Sequence, residues 1–190
     1  MSTHSHDHNK LFAALQFAAE RHRFQHRKGA EETPYINHPI SVAHELAKHG
    51  EEDTNLLCAA LLHDVIEDTT RNEQEIEKLS AIILADFGEN VLLPVLEVSD
   101  NKNLPIDKRK ELQVKMIATA CDRARKIRIA DKICNVRDLW EYPPKGWEID
   151  RKIAYIKWSQ RVVEQAKGVN ASLEEAFVDV AEKVFNHLTS

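Results

Sequence analysis

Apolar residues recur along most of this chain at intervals of three and four, the spacing that builds one side of an α-helix. Residues 10–27 carry Leu11, Ala14, Leu15, Ala18 and Ala19 in that register. His38–Pro39 opens a second helix reaching Lys48, with Pro39 in the first turn, where a missing N–H costs nothing. Thr54 or Asn55 can cap a third, running through Asp68. Asn72 with Glu75 three residues later has the form of a capping box and starts a helix that ends near Gly88. Further helices are expected at 90–99, 108–121, 122–140 and 148–167. Another, at 172–188, follows a Ser172/Glu175 capping pattern and aligns Leu173, Ala176, Phe177, Val180, Ala181 and Val184 on one face. Neither strand alternation nor an internal repeat interrupts the series. The pattern predicts an all-α single domain whose sites lie between helices, with loops at 28–37, 100–107 and 141–147.

Composition narrows the function more than the fold. At 190 residues the chain can bury one substantial core but not two comfortable ones. Five glycines and six prolines leave no Gly-rich phosphate loop. A net charge of −5 argues against nucleic acid as a partner, since backbone binding needs positive charge. A small anionic substrate is compatible, because a local basic pocket can sit on an acidic protein. Cys58, Cys121 and Cys134 are odd in number and form no C-x-x-C pair, so a reducing cytoplasm is expected rather than a disulfide framework. No apolar run approaches the roughly 20 residues of a membrane span. The polar start MSTHSHDHNK lacks a signal-peptide core. Residues 1–9 are expected to form a disordered tail whose His4, His6 and His8 take no part in the chemistry.

Candidate chemistry concentrates in Leu61-Leu62-His63-Asp64-Val65-Ile66-Glu67-Asp68-Thr69. On a helical wheel His63, Glu67, Asp64 and Asp68 fall at about 0°, 40°, 100° and 140°. Leu61, Leu62, Val65 and Ile66 occupy the opposite side. A solvated acidic face would normally interleave lysines as i,i+4 partners, and this one has none. Crowded acids of this kind repel unless a cation sits among them. A second polar face gathers Arg128, Asp131, Asn135 and Asp138, with Ile129, Ile133 and Val136 behind it. Taken alone, that face or a lone His38 is ordinary. Taken together, His38, the doublet His63-Asp64 and Asp131 supply two imidazoles and two carboxylates. This set suits Mn²⁺, Fe²⁺, Co²⁺ or Zn²⁺ and lacks the thiolates of a structural zinc site. A divalent ion lowers the pKa of water and polarises a phosphoryl oxygen, as phosphoester hydrolysis requires.

Three motifs in this order resemble the hydrolase domain of the Rel/SpoT-type alarmone enzymes, and especially the single-domain small alarmone hydrolases. They are Arg21–Lys28 followed by Pro34–Pro39, then Ala59–Thr69 with its Glu67-Asp68 pair, then Ile129–Leu139. The likeness covers roughly residues 10–167, and 168–190 would add one more helix packed on the same domain. The resemblance implies an HD-type helical fold and an Mn²⁺-dependent guanosine-3′,5′-bis(diphosphate) 3′-pyrophosphohydrolase, converting ppGpp or pppGpp to GDP or GTP and pyrophosphate. It implies one divalent ion, most simply Mn²⁺, on His38, His63, Asp64 and Asp131. Glu67 and Asp68 would orient and deprotonate the attacking water. Arg27 would pack on the purine, Lys28 would neighbour the phosphates, and Asn135 would line the nucleotide pocket. Arg151 and Tyr155, spaced i,i+4, would complete the phosphate side.

Two departures bear on specificity. The turn Gly29–Thr33 is about two residues longer than usual for the family, and Asp138 stands where the long bifunctional enzymes carry a small hydroxyl residue. An adenine alarmone such as (p)ppApp, NADPH or another nucleotide is therefore a rival substrate. A non-catalytic nucleotide-sensing module is a rival of another class, but it would not need to keep the four ligands and the acid pair together. Lys102, Lys108, Arg109 and Lys110 could face a pyrophosphate. The apolar face of the last helix would either cap the domain or join subunits into a homo-oligomer.

Overall fold

Helix α8 (Asp122–Glu141) is buried on most of its circumference, with Ala124, Ile127, Ile129, Ala130, Ile133, Val136 and Leu139 covered along with the polar Arg128, Asp131 and Lys132. A helix covered on so many sides has to lie inside the domain. The computed structural model describes residues 3–27, 29 and 32–190. Ahead of α8 come α1 (Thr3–Arg21), α2 (Asn37–Lys48), α3 (Thr54–Leu62), α4 (Val65–Thr69), α5 (Glu73–Phe87), α6 (Glu89–Val98) and α7 (Ile106–Met116). A 3₁₀ turn at Ile117–Thr119 precedes α8, and α9 (Ile149–Ala166) and α10 (Ala171–Thr189) follow it. Helix α8 packs against α2, α3, α6, α9 and α10, and α3 is enclosed by α1, α2, α6 and α8. The fold is all-α, as the periodicity predicts. Among the described residues no helix is long and apolar enough to cross a membrane.

Several boundaries differ from the sequence reading, each for a local reason. Helix α1 starts at Thr3, so the stretch expected as a tail up to residue 9 is helical from that point. It contains no glycine or proline, and a helix anchored downstream extends by one bond per residue. The same helix ends at Arg21 rather than 27; beyond it the chain is tied across the loop, Arg27 N–H to Thr33 O at 2.9 Å and Tyr35 N–H to Gln25 O at 2.9 Å. Asp53, not Thr54 or Asn55, caps α3, its carboxylate accepting from Asn55 N–H at 3.0 Å. Asn72 caps α5 through Glu75 N–H at 2.9 Å, as the capping box predicts. Gly88 separates α5 from α6 with φ of 81°, a conformation that favours glycine.

Helix α10 is capped by Asn170, which accepts from Leu173 N–H at 3.0 Å, in place of the expected Ser172 and Glu175. Ser172 instead meets His49 Nδ1 at 2.8 Å. The apolar face of α10 lies on α8 and α9, burying Leu173, Phe177, Ala181 and Val184. Each large side chain there contributes about 1.5–3 kcal/mol. The packing holds α8 in place behind the site.

Candidate active site

The largest departure from the sequence reading lies at the centre of the site. The helix expected to run through Asp68 is interrupted at His63–Asp64, which form the turn between α3 and α4. His38 stands in the first turn of α2 and Asp131 in the middle of α8, both buried, as is His63. His38 Nε2 lies 3.1 Å from Asp131 Oδ1 and 3.7 Å from Asp64 Oδ2. His63 Nε2 lies 3.0 Å from Asp64 Oδ2 and 4.0 Å from Asp131 Oδ1. The structure thus brings the ligand atoms of His38, His63 and Asp131 within 4.8 Å of one another, with the Asp64 carboxylate beside both histidines.

Two observations show that a cation fits there. His63 Nδ1 faces Ala60 O at 2.8 Å and donates to it, which turns Nε2 towards the acids. That Nε2 is buried and makes no hydrogen bond, although Asp64 is near. Burial works against a charged His63, but Asp64 and Asp131 outweigh it and push the imidazole pKa up to about 9. Burial opposes charge on Asp131 too, yet Lys132, His38 and Arg128 hold it well below the usual carboxylate range. A divalent ion on two imidazoles and two carboxylates competes with the His63 proton, so its uptake releases that proton and weakens at low pH.

The ligands are themselves held. Tyr35 donates its hydroxyl to Asp64 Oδ2 at 2.7 Å, and burial together with Asp64 keeps that phenol protonated. Asp131 is held by the buried Lys132, whose Nζ donates to Oδ2 at 3.0 Å, by Arg128 at 3.8 Å, and by the Asn135 amide on Oδ1. Tyr35→Phe is expected to weaken divalent-ion affinity by about 10- to 100-fold, the usual cost of losing a partner of a metal ligand. Competition against a chelating dye measures this, and unchanged affinity would show that Tyr35 merely packs.

Glu67 and Asp68 follow on α4, one turn beyond the doublet. Glu67 Oε2 accepts from Asp100 N–H at 2.9 Å, and Arg109 stands 4.0 Å from Oε1. Burial first, then the neighbouring Asp64 and Asp100 carboxylates, raise Glu67 to about 7. Asp68 accepts from Gln25 Nε2 at 2.6 Å and pairs with Lys102. Both acids open on a cleft of about 990 Å³ that also exposes Arg27, His38, Asn135 and Tyr155. That is room for a nucleotide.

The proposed nucleotide contacts are gathered unevenly. Arg27 bonds Asn135 Oδ1 at 3.0 Å and Asp138 at 2.5 Å, and its guanidinium lies 5.6 Å from the centre of the Tyr35 ring. Tyr155 lines the cleft beside Trp147. Arg151 is exposed, with its guanidinium 4.2 Å over the Trp147 ring, so an indole lies between it and the part of the wall that Tyr155 forms. Lys28 lies outside the described residues. Of the four basic residues around the α6–α7 loop, Lys102 and Arg109 reach the cleft. Cys58 and Cys134 are buried core thiols.

Sequence reasoning missed Gln25, Tyr35 and Lys132. Gln25 lies beyond Arg21, where the helix expected through residue 27 in fact ends, and Tyr35 falls in a loop with no periodicity to interpret. Lys132 looks like a solvent-facing residue until Trp158 of α9 is seen to cover it, its amine 4.3 Å from the ring centre.

Comparison with known proteins agrees with this geometry. Residues 14–159 match the family described as HD domain. The chain is 43% identical over 166 residues to the Drosophila melanogaster guanosine-3′,5′-bis(diphosphate) 3′-pyrophosphohydrolase MESH1, covering 87% of this chain and 89% of that protein. It is 44% identical over 168 residues to the Homo sapiens protein of the same name, covering 88% and 90%. A solved structure described as a metazoan ortholog of SpoT that hydrolyzes ppGpp superposes with a TM-score of 0.83 at 39% identity, over 92% of this chain and 94% of that one. The chain belongs to the HD-domain family, alongside the MESH1 pyrophosphohydrolases.

Proposed function

We propose that this protein removes the 3′-pyrophosphate from ppGpp and pppGpp, with Mn²⁺ as its metal. The observation that carries the reading is the grouping of His38, His63 and Asp131, with Asp64 beside the histidines, next to a cleft of nucleotide size that His38, Glu67 and Asp68 line. The relatives bearing that activity in their names support it over nearly their whole length. A divalent ion on the four ligands would lower the pKa of water and polarise a phosphoryl oxygen.

The remaining work falls to the chain. Asp68 orients the attacking water, and Glu67 takes its proton, since a carboxyl raised to about 7 is matched to that task near neutral pH. The water oxygen bonds to the phosphorus carried by the ribose O3′, the O3′–P bond breaks, and O3′ leaves with a proton. Arg27 offers a planar face to the purine. Lys102 and Arg109, now paired with the acids, neutralise the departing pyrophosphate, and Tyr155 forms part of the cleft wall. Arg151 acts through Trp147, and Lys28 completes the basic side. The free thiols Cys58, Cys121 and Cys134 fit a reducing cytoplasm.

Mn²⁺-loaded protein is expected to release pyrophosphate from ppGpp and to lose that activity on chelation. A panel of ppGpp, pppApp, NADPH and simple nucleoside phosphates tests the base. Protein that ignores both alarmones but cleaves a simple nucleotide would sink the reading.

A further inference from the structure

Gln25 lines the nucleotide cleft, and its amide joins the buried His22 to Asp68. His22 is buried, at 1% exposure, and its ring lies 5.0 Å from that of Tyr35. Its Nδ1 stands 2.7 Å from Gln25 Oε1, while its Nε2 is buried without a hydrogen-bond partner. The other end of the same amide, Nε2, donates to Asp68 Oδ2 at 2.6 Å. Chemistry fixes which way this amide points. A carboxylate accepts and does not donate, so the NH₂ must face Asp68 and the carbonyl must face the histidine. His22 must then carry its proton on Nδ1, and the unpartnered Nε2 is the bare lone pair, the less costly atom to bury alone. Burial lowers the pKa of His22 against the pull of Gln25 and the nearby acids, which favours the neutral ring this arrangement needs.

We propose that Gln25 is a positioning residue for Asp68, with His22 locking the orientation of its amide. The proposal rests on the hydrolytic reading of the site and deepens it. Asp68 is gripped from both sides, by Gln25 on Oδ2 and Lys102 on Oδ1. Lys102 is exposed and free to turn to a substrate phosphate, whereas Gln25 is anchored. Its backbone N–H bonds His22 O at 2.9 Å and its carbonyl accepts from Tyr35 N–H at 2.9 Å. When Lys102 leaves for the pyrophosphate, Gln25 alone keeps Asp68 aimed at the water. Because the main chain is tied down independently, changing the side chain should leave the loop in place.

Gln25→Met, of similar volume and without the amide, is expected to lower kcat about 10- to 100-fold, with KM within about twofold, metal content unchanged and melting temperature preserved. His22→Asn keeps a donor near Nδ1 and should retain most of kcat, whereas His22→Leu should fall with Gln25→Met. A Gln25→Met enzyme with wild-type kcat, or one changed in KM alone, overturns the proposal. Equal loss in His22→Asn and His22→Leu overturns the part assigned to His22. A readout independent of substrate is ¹⁵N NMR of the wild-type protein, which should show a neutral His22 protonated on Nδ1. A proton on Nε2 instead defeats the relay even if the protein hydrolyses ppGpp. A wild type inactive on alarmones but with His22 protonated on Nδ1 would defeat the functional reading and leave the relay supported.

Discussion

Glu67→Gln is expected to bind its metal and nucleotide, to turn over about 10²- to 10⁴-fold more slowly, and yet to be more stable than the wild type above pH 7. The loss follows from removing the proton acceptor while keeping its shape, since the new amide carbonyl can still accept from Asp100 N–H. The gain follows from the electrostatics. Burial and the Asp64 and Asp100 carboxylates raise Glu67 from 4.5 to about 7 in the folded protein. Between those values the folded state holds a proton that the unfolded state has lost, so stability falls as pH rises. Above pH 7 the whole cost of an ionised Glu67 is present, on the order of 3–4 kcal/mol at about 1.4 kcal/mol per pK unit. The neutral amide of the Glu67→Gln variant escapes that cost, and the advantage disappears below about pH 4.5. Urea unfolding of chelator-treated protein at pH 6 and 8, with single-turnover assays on the loaded enzyme, tests both halves. Wild-type turnover in Glu67→Gln would move the base to Asp68. This pairing of lost activity with gained stability is how a strained catalytic group differs from a structural one.

The parts of this site that the sequence made legible are those carried by periodicity. Arg128, Asp131, Asn135 and Asp138 were expected on one side of a helix, and the bonds among Asp131, Asn135, Arg27 and Asp138 show that they are. The wheel drawn through His63 and Asp68 assumed a continuous helix, and the chain turns at the doublet. The faces survive because the turn is slight: His63 keeps φ −58° and ψ −33°, and Asp64 φ −98° and ψ −5°. Periodicity could not reveal that Tyr35 bonds Asp64 or that Gln25 bonds Asp68, because both reach their partners from an irregular loop through contacts 29 and 43 residues apart in sequence. The caps of α3 and α10 were misplaced for a related reason. Several Asp, Asn, Ser and Thr residues crowd each start, and which one caps depends on where the preceding loop delivers the chain.

Asp131→Ala is expected to abolish tight metal binding and turnover, and also to destabilise the fold by about 3–5 kcal/mol, because it strands a buried cation. Lys132 is 2% exposed, its amine 3.0 Å from Asp131 Oδ2 and 4.3 Å from the centre of the Trp158 ring. With the carboxylate gone, the indole is the nearest compensation, worth about 2 kcal/mol for a desolvated cation. Arg128 then repels Lys132 without a shared counter-charge between them. Burial already lowers the Lys132 pKa, with Asp131 the chief force holding it up. Losing Asp131 lowers it further, so the folded state sheds a proton that the unfolded state keeps. Stability of Asp131→Ala should therefore rise with pH towards the ordinary lysine range, and more steeply than in wild type, where Asp131 still opposes the loss of that proton. Adding Lys132→Met removes the stranded charge and should restore most of the stability and none of the activity. Denaturant unfolding of the single and double variants across that pH range measures each effect. A double variant no more stable than Asp131→Ala would mean that the carboxylate supports the fold through His38 and Asn135 rather than through Lys132.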